Sequence, residues 1–256
     1  MANVMITGAN EGIGYFLAEQ LLKDGQRVVV LDKNTEHIRE LQKIYPEALS
    51  VYIADVRNQS VLQSAIDDAF SRLRKIDAVI HNACLCTFDA IENSDLDTVQ
   101  AVFDVNYFGA LRLTKAVLPY LRKQKEGRII YTSSGVGVTG FVNLSPYASS
   151  KGALESLAKC LAIECAKDSV SFHIFHPPLT NTKSSEPLPI PKEFMAAPEK
   201  VGRGFAKHIM SKRFIICDSF SQKIQTMACY AFPVRMGRLL SKMTERYVNS
   251  QQASGG

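Results

Sequence analysis

Short apolar runs alternate along the chain with longer segments whose apolar residues recur every three or four positions. Brief, continuous apolar runs are typical of buried parallel strands, and the longer spacing is typical of amphipathic helices. The predicted strands cover residues 3–6, 27–31, 49–53, 78–80, 171–175 and 213–217, together with the apolar run that ends before Ser134. Strands that alternate with helices predict an α/β fold, a doubly wound parallel sheet with helices on both faces.

The composition limits the kinds of partner that we expect. The 256 residues are 46% hydrophobic, which suffices for a single domain with one sizeable core. The net charge of +5 is modest and the basic residues are spread along the sequence, so we expect no nucleic-acid partner. No apolar run approaches the ~20 residues of a membrane span, and no secretion signal opens the sequence. These features predict a cytoplasmic location.

Six cysteines in this setting predict reduced thiols rather than a disulfide framework. His81, Cys84 and Cys86 lie close together in the sequence. A second pair of ligands at the spacing of a tetrahedral site is missing, so we expect no metal site.

A glycine-rich turn follows the first predicted strand and precedes a helical pattern. Gly8 and Gly12 allow a tight turn and a close approach of the backbone to a pyrophosphate, and Gly14 allows the helix to pack on the strand. The amino end of the helix favours an anion. Taken alone, the motif has a plain tight turn as its alternative interpretation.

Polar residues follow the next three strands. Asp32 lies roughly 20 residues beyond the glycine turn, where a carboxylate accepts hydrogen bonds from the adenosine ribose and repels a 2′-phosphate. This favours NAD, while the neighbouring Lys33 partly offsets the repulsion and leaves NADP as the alternative. Asp55 is placed to accept from the adenine amine, and Asn82 and Ala83 to line the floor beneath the adenosine. Each of these is also a common turn residue.

Three candidate catalytic residues lie between 134 and 151. Tyr147 and Lys151 stand four apart in a helical pattern and so share a face. A free phenol titrates near ~10, so proton exchange at neutral pH needs a nearby positive charge, which Lys151 supplies. Ser134 follows a strand whose end directs its hydroxyl at the same pocket. The alternative is an ordinary Tyr–Lys helix pair and a turn serine.

A long helical stretch is predicted from residue 96 to about residue 121, and Asn106 interrupts its apolar face. An asparagine at such a position must find hydrogen-bond partners. It either bonds back to its own helix or holds a water that relays protons to Lys151.

These residues, in this order and spacing, resemble the short-chain dehydrogenase/reductase family. The motifs that carry the resemblance are Thr7-Gly8-x-x-x-Gly12-x-Gly14, Asp55-Val56, Asn82-Ala83, Asn106, Ser134 and Tyr147-x-x-x-Lys151. The resemblance covers residues 1 to about 182 and implies a Rossmann-type sheet and hydride transfer between a nicotinamide and an alcohol or ketone.

The resemblance also implies a role for each site residue. Tyr147 is the general acid/base, Ser134 holds the substrate oxygen, Lys151 grips the nicotinamide ribose and lowers the tyrosine pKa, and Asn106 completes a proton relay. The implied cofactor contacts are Gly8, Asn10, Gly12, Ile13, Gly14, Asp32, Asp55, Val56, Asn82, Ala83, Tyr147, Lys151, Pro177 and Thr182.

The sequence departs from the family pattern after the strand at 171–175. The usual Pro-Gly is replaced by Pro177-Pro178, although Thr182 is in place. Pro178 lacks an N–H, so the wall beside the nicotinamide should be stiffer. The Pro-Pro variant resembles that of long-chain ketosphinganine reductases of this family, which favours a lipid-like substrate. Cys84 stands where the family has a glycine in the adenosine floor.

The carboxyl-terminal third divides into three predicted parts. Within a Rossmann-type catalytic domain over 1–217, the proline-rich stretch 183–198 suits a substrate lid, with a surface loop as the alternative. Residues 218–249 form a basic amphipathic extension, more often packed on its own domain or at a dimer interface than on a membrane. Residues 250–256 are predicted to be a disordered tail.

The sequence therefore predicts an NAD(P)-dependent oxidoreductase acting on an apolar or lipid-like alcohol or ketone. Its expected assembly is a homodimer or homotetramer. The alternative is a dinucleotide-sensing or scaffold protein that keeps the fold without turnover.

Overall fold

The computed structural model describes the backbone of residues 1–254 and the side chains of residues 1–247. Within this part, the strands form one seven-stranded parallel sheet in the order β3-β2-β1-β4-β5-β6-β7. The strands are β1 (Asn3–Thr7), β2 (Arg27–Asp32), β3 (Leu49–Ile53), β4 (Ala78–His81), β5 (Gly127–Thr132), β6 (Val170–Phe175) and β7 (Ile215–Ile216). The doubly wound parallel sheet predicted from the sequence is confirmed.

Ten α-helices surround or follow the sheet in the described part. They are α1 (Gly12–Lys23), α2 (Glu36–Ile44), α3 (Gln59–Leu73), α4 (Leu96–Phe103), α5 (Gly109–Gln124), α6 (Val136–Thr139), α7 (Ser145–Glu164), α8 (Pro198–Ala206), α9 (Phe220–Ala231) and α10 (Pro233–Ser254). Residues at the amino ends of several helices favour helix initiation. Asn58 and Asp95 accept hydrogen bonds from the first-turn amides of α3 and α4, and Pro146 lies in the first turn of α7.

Two apolar layers form the core because successive strand residues point to opposite faces of the sheet. Met5 and Val29 pack with α3, α5 and α7 on one face. Val4, Ile6 and Val28 pack with α1, α2 and α8 on the other. Both faces are covered, which explains why the strands are continuous apolar runs.

The strand order places a crevice at the carboxyl end of the sheet. β1 pairs with β2 on one side and with β4 on the other. The chain thus winds in opposite directions from β1, and ligands of open α/β sheets bind outside such a switch point. The loops that follow β1, β2, β4, β5 and β6 meet there.

Two elements differ from the sequence prediction. The helix predicted at 96–121 is divided by a π-helical turn, Asp104–Phe108, between α4 and α5. The side chain of Asn106, which lies in this turn, forms hydrogen bonds with residues outside the helix. Such π-helical turns inside α-helices often occur at functional sites. The last strand is limited to Ile215–Ile216 because β6 pairs with it over only two residues.

The carboxyl-terminal extension predicted at 218–249 forms α9 and α10. Gly237 lets α10 approach α6, since a Cβ there would lie 2.5 Å from the Thr139 carbonyl oxygen. The helix continues to Ser254, so its backbone covers most of the tail predicted to be disordered. Polar residues there extend a helix that is already nucleated. Residues 255 and 256 lie outside the described residues.

A buried polar network attaches α9 to the catalytic end of the sheet. Glu155 of α7 accepts hydrogen bonds from the hydroxyls of Ser133 at 2.8 Å and Tyr230 at 2.6 Å. His176 Nε2 lies 3.2 Å from the same carboxylate and 3.1 Å from the Tyr230 hydroxyl. Burial alone raises the pKa of Glu155, but these partners outweigh it and hold that pKa below its ordinary value. The network therefore fixes α9 to α7, β5 and β6.

We predict that Tyr230→Phe lowers the free energy of unfolding by about 1–3 kcal/mol, because a buried carboxylate loses a hydrogen bond. Urea denaturation at neutral pH measures the loss. A lowered carboxyl pKa stabilises the fold above the ordinary glutamate pKa of 4.5, and this contribution is lost as the pH falls through the folded-state value. The difference between the variant and the parent should therefore shrink in acid.

The matched control is Tyr45→Phe, whose half-buried hydroxyl has no hydrogen-bond partner among the described residues. It should change the stability by less than about 0.5 kcal/mol. Equal stabilities of Tyr230→Phe and the control at neutral pH would contradict the network's role.

Candidate active site

The glycine-rich turn lies between β1 and α1 and has no room for side chains. Gly8 has φ +69° and Gly12 has φ +63°, both in the left-handed region. A Cβ at Gly8 would lie 2.5 Å from Ala83 Cα, and one at Gly14 would lie 2.3 Å from the Gly8 carbonyl oxygen. Gly8, Gly12 and Ile13 line the crevice, and the amino end of α1 opens there. This arrangement is a backbone cradle for an anionic group.

Asp32 closes one end of the crevice at the end of β2. Its Oδ2 accepts from the Asn10 amide at 2.9 Å and its Oδ1 from the Asn34 amide at 3.1 Å. Asn10 itself does not line the cavity. It is buried, and its Oδ1 accepts from the Ile38 amide of α2. The structure therefore gives its side chain a structural role, whereas the sequence predicted a cofactor contact.

Asp55 and Val56 line the same end of the cavity after β3. Asp55 is paired with Arg57, whose Nη2 lies 2.7 Å from Oδ2. The hydrogen bond from Arg57 holds the pKa of the Asp55 carboxyl below its ordinary value, although burial opposes the shift. Sequence analysis missed Arg57, which also lines the cavity, because its pairing depends on the local turn after β3.

Asn82 and Ala83 follow β4 at the bottom of the crevice, and both line it. Asn82 Nδ2 donates to the Gly8 carbonyl at 2.7 Å, and its Oδ1 accepts from Thr132 Oγ1 at 3.2 Å. This side chain joins the ends of β1, β4 and β5. It makes the floor rigid.

The three candidate catalytic residues line one cavity. Lys151 is buried and its Nζ donates to the Thr132 carbonyl at 2.8 Å. The same Nζ lies 5.6 Å from the centre of the Tyr147 ring, and the Tyr147 hydroxyl and the Ser134 side chain line the same cavity. Gly137 allows this packing, because a Cβ there would lie 2.8 Å from Lys151 Cβ. The structure thus brings together the serine, phenol and ammonium that the sequence singled out.

The electrostatics of the phenol differ from the expectation. Burial, followed by the nearby thiols of Cys84 and Cys86, raises the pKa of Tyr147 well above its ordinary value of 10, and the nearby Ser134 hydroxyl only partly offsets the shift. The sequence predicted a phenol made acidic by Lys151. Burial dominates in this structure, and a phenol made acidic by Lys151 stays a prediction.

Asn106 lies near the trio but does not line the cavity. Its Oδ1 accepts from the Leu85 amide at 2.8 Å, and its Nδ2 donates to the Leu85 carbonyl and to Ser150 Oγ, each at 2.9 Å. The buried side chain thus connects the segment after β4 to α7. The sequence offered bonding within its own helix or a water relay. The side chain does not bond back to its own helix, since Leu85 and Ser150 are its partners, and the proton relay through Asn106 stays a prediction.

Two thiols that were not assigned to catalysis from the sequence face the site. Cys84 and Cys86 line the cavity, and burial, then Cys84, raises the pKa of Cys86 to about 12. His81 is buried and lies 3.1 Å from Thr7 Oγ1 through its Nδ1. In the part of the chain that the structure describes, no group of three or more His, Cys, Asp or Glu residues is placed to hold a metal ion.

The crevice continues into an apolar chamber, and together they form a cavity of about 740 Å³. The chamber lies beyond Tyr147 and is lined by Leu144, Leu179, Leu188, Ile190, Phe194 and Met243. These residues come from the loop before α7, the segment after β6, the predicted lid and α10. Such a volume accommodates a sizeable ligand.

The predicted lid at 183–198 is fastened at both ends. At its start, Thr182 lines the cavity and packs 3.1 Å from the Cβ position of Gly12. At its end, Ala196 forms backbone hydrogen bonds with Leu179 and Asn181. Between these points the segment contains two short 3₁₀ turns, Lys183–Ser185 and Lys192–Phe194. It covers the chamber.

Pro177 and Pro178 form the wall between the crevice and the chamber, and both line the cavity. The Pro177 carbonyl accepts from Gln222 Nε2 at 3.4 Å, and the Pro178 carbonyl accepts from Thr180 Oγ1 at 2.7 Å. Pro178 has no N–H to donate, and these two hydrogen bonds hold the carbonyls of both prolines in place.

Known proteins resemble this chain in sequence. Human retinol dehydrogenase 8 is 32% identical over 195 residues, which cover 75% of this chain and 60% of the relative. The 3-ketodihydrosphingosine reductase of Bos taurus is 23% identical over 231 residues, covering 83% and 70%. Alignments with several curated relatives, retinol dehydrogenase 8 among them, span only 58–63% of the length of those proteins.

Solved structures share the fold. A 3-ketoacyl-(acyl-carrier-protein) reductase from Brucella melitensis, complexed with NADH, has a TM-score of 0.76 at 21% identity and covers 85% of this chain and 94% of that one. A short chain dehydrogenase from Burkholderia cenocepacia, in complex with NADP, has a TM-score of 0.77 at 22% identity, covering 90% and 93%.

The family model for short chain dehydrogenases matches residues 2–192, most of the segment that forms the sheet and the crevice. The glycine turn, the Ser134, Tyr147 and Lys151 cluster and the strand order all lie within that match. The chain therefore belongs to the short-chain dehydrogenase/reductase family.

Proposed function

We propose that the chain is an NAD(P)-dependent oxidoreductase that transfers a hydride between a nicotinamide and an alcohol or ketone. The observation that carries this proposal is the meeting of Ser134, Tyr147 and Lys151 in one cavity with the glycine turn. Members of the short-chain family are oxidoreductases. A sensor or scaffold has no need for a buried ammonium in the same cavity as a serine hydroxyl and a phenol.

The residues present fit a dinucleotide. The left-handed glycines, whose Cβ positions are blocked by backbone atoms, and the amino end of α1 suit a pyrophosphate. Asp32 suits the adenosine ribose, and the neighbouring Asp55, Val56, Asn82 and Ala83 surround the adenosine end. Lys151, Pro177 and Thr182 line the nicotinamide end. When bound, the dinucleotide supplies or accepts the hydride.

The proton follows a short route. In ketone reduction, Ser134 donates a hydrogen bond to the substrate oxygen and so holds it beside the phenol. Tyr147 then gives its proton to that oxygen, and the alcohol forms as the carbonyl carbon gains the hydride. Lys151 holds the nicotinamide ribose and stabilises the phenolate that remains. Asn106 supports this geometry by fixing α7 to the segment after β4.

The raised pKa of Tyr147 favours the reductive direction. A phenol that keeps its proton at neutral pH is a ready acid, whereas alcohol oxidation needs the phenolate as a base. Burial contributes most to this preference, because a buried phenolate loses its hydration.

The chamber supports an apolar, lipid-like substrate. Leucine, isoleucine, phenylalanine and methionine side chains line it, and burial of apolar surface contributes about 25 cal/mol per Å² to binding. Two relatives are named for retinol and for a ketone of a sphingoid base, both long apolar molecules. The Pro-Pro wall at Pro177 resembles the reductases of the second group.

The proposal includes a cytoplasmic location and a homodimer, with a homotetramer as the alternative assembly. Leu96 of α4, Phe108 of the following π-helical turn and Ile163 of α7 are exposed apolar residues. They support a contact between two copies. No helix of the described part is long and apolar enough to cross a bilayer.

We expect Tyr147→Phe to lower kcat for ketone reduction at least about 100-fold, because the proton donor is lost. The binding of NADH should change less than about twofold, since the ring remains. The absorbance of NADH, followed with a panel of medium- and long-chain ketones, measures turnover. Tyr52→Phe, whose hydroxyl donates to Asp68 and does not line the cavity, is the control and should keep its activity. Normal turnover by Tyr147→Phe would refute the assigned role.

The pH profile should follow from the raised pKa of Tyr147. Because the acid form persists up to and beyond pH ~10, kcat/KM for reduction should show no tyrosine titration in the neutral range. Oxidation of the corresponding alcohol should rise with pH, since it needs the deprotonated form. A fall in reduction with a midpoint near pH ~7, without a matching change in NADH binding, would show that the phenol is acidic after all.

NADH should bind more tightly than NADPH, because Asp32 repels a 2′-phosphate. Asp32→Asn should weaken NADH binding about tenfold and narrow the gap to NADPH, as a charged acceptor is lost. Fluorescence titration of both nucleotides measures this, with Asp24→Asn, an exposed residue outside the cavity, as the control. Tighter binding of NADPH by the parent protein would contradict the assignment of Asp32.

A further inference from the structure

α9 is an amphipathic helix whose apolar side faces outward. Phe220, Ile224 and Met227 are spaced as one helical stripe and are 76%, 55% and 62% exposed. The opposite side carries Gln222 and Thr226, which are buried against the cavity wall. A helix packed only on its own domain buries its apolar stripe and exposes its polar one. The outward apolar stripe of α9 therefore indicates a binding partner outside the domain.

Exposed apolar residues are concentrated in this region. Eighteen large apolar side chains in the described part are exposed, and seven of them lie between residues 220 and 243, about a tenth of the chain. Those seven are Phe220, Ile224, Met227, Phe232, Val234, Leu239 and Met243. Concentrations of this kind mark interaction sites, whereas single exposed apolar residues need no explanation.

Basic residues accompany the apolar ones. Between residues 220 and 247 the sequence has five basic residues and a single acidic one, Glu245. The basic residues are Lys223, Arg235, Arg238, Lys242 and Arg246. The last four recur at helical spacing on the outer side of α10, and all four are exposed. None of the five forms a salt bridge with a carboxylate whose side chain is described. We call the seven apolar and five basic residues the α9–α10 face.

The positive charge of this face indicates what kind of partner binds to it. In a twofold contact between copies the same patch meets itself, so four exposed arginine and lysine side chains would face four more. An anionic lipid surface offers the opposite charge together with an apolar layer just beneath it. We propose that the α9–α10 face binds the surface of an anionic lipid bilayer, with the apolar stripe of α9 in the interface and the basic residues at the headgroups.

The position of the face fits this occupant. Met243 is 60% exposed and Phe194 is 71% exposed, yet both also line the apolar chamber. The mouth of the chamber therefore opens beside the α9–α10 face. An apolar molecule that leaves a bilayer there reaches the chamber without crossing water. The proposal of a binding surface does not depend on the proposed reaction, because it rests only on exposure, charge and position.

Vesicle flotation with the full chain tests the proposal. The protein is mixed with vesicles of phosphatidylcholine alone, or of phosphatidylcholine with phosphatidylglycerol, at about 0.1 M salt. We expect it to float with the anionic vesicles and to stay below with the neutral ones. Binding should decline at about 0.5 M salt, because screening weakens contacts with headgroups.

Two sets of variants separate the apolar and the charged contributions. Ile224→Gln with Met227→Gln removes the stripe, and Arg235→Gln with Arg238→Gln and Lys242→Gln removes three charges. Each set should raise the concentration of anionic lipid needed for half-maximal binding at least about tenfold. None of these residues lines the cavity, so NADH binding should be unchanged in both sets.

Matched controls carry the same chemical changes elsewhere on the surface. Ile44→Gln with Met210→Gln replaces two comparably exposed apolar residues. Lys123→Gln, Lys167→Gln and Lys207→Gln together remove three exposed charges. Both controls should float as the parent does. Tyr147→Phe should float equally well, which separates this test from that of the reaction.

Four results would overturn the proposal. Failure to float with either kind of vesicle removes the membrane as occupant, and equal flotation with both removes the role of charge. Size-exclusion chromatography with light scattering gives the third: a dimer that Ile224→Gln with Met227→Gln converts to monomers assigns the face to a second copy. Equal vesicle binding by the variants and their controls counts against it in the same way.

Discussion

The ammonium group of Lys151 sets the geometry on which the site depends. A buried charge is costly unless it is hydrogen-bonded, and Lys151 is buried with its Nζ donating to the Thr132 carbonyl at the end of β5. This bond fixes α7 against β5 in one register. Tyr147 lies one helical turn before Lys151, and Ser134 lies two residues after Thr132, so the same contact places the phenol beside the serine hydroxyl. The positive charge also reaches His81, whose pKa burial and then Lys151 lower to about 3. His81 therefore stays neutral beside Thr7, as the floor of the crevice requires.

A second set of polar contacts extends this rigidity toward the chamber. Glu155 lies one turn beyond Lys151 on α7 and gathers Ser133, His176 and Tyr230 around its carboxylate. Each partner adjoins a different part of the site: the catalytic serine, the proline wall and α9. Movement of any one of them removes a hydrogen bond from a buried carboxylate, which costs more than an exposed bond. The substrate wall and the proton donor are thus held by the same group.

Local sequence patterns account for much of the fold and for the central residues of the site. Apolar runs and helical spacing gave the strands and most helices, because each depends on residues near one another in the chain. The glycine turn was legible for the same reason. The hydrogen bond of Asn10 could not be predicted in this way, since its partner Ile38 lies 28 residues away in the sequence. A turn asparagine in a cofactor motif gives no sign of such a distant partner. The raised pKa of Tyr147 depends on burial and then on thiols about 60 residues earlier in the chain, which only the packing of the loop after β4 brings near.

The outward stripe of α9 follows from these distant contacts. Its polar side is committed to the site: Gln222 donates to the Pro177 carbonyl and Tyr230 donates to Glu155. Rotating the helix to bury Ile224 and Met227 would break both bonds and leave a buried carboxylate and a carbonyl without these donors. The interactions that build the substrate wall therefore fix the rotation of α9. Because that rotation is fixed, the apolar residues of the opposite side must face outward, and the chain can bury them only against something other than its own domain.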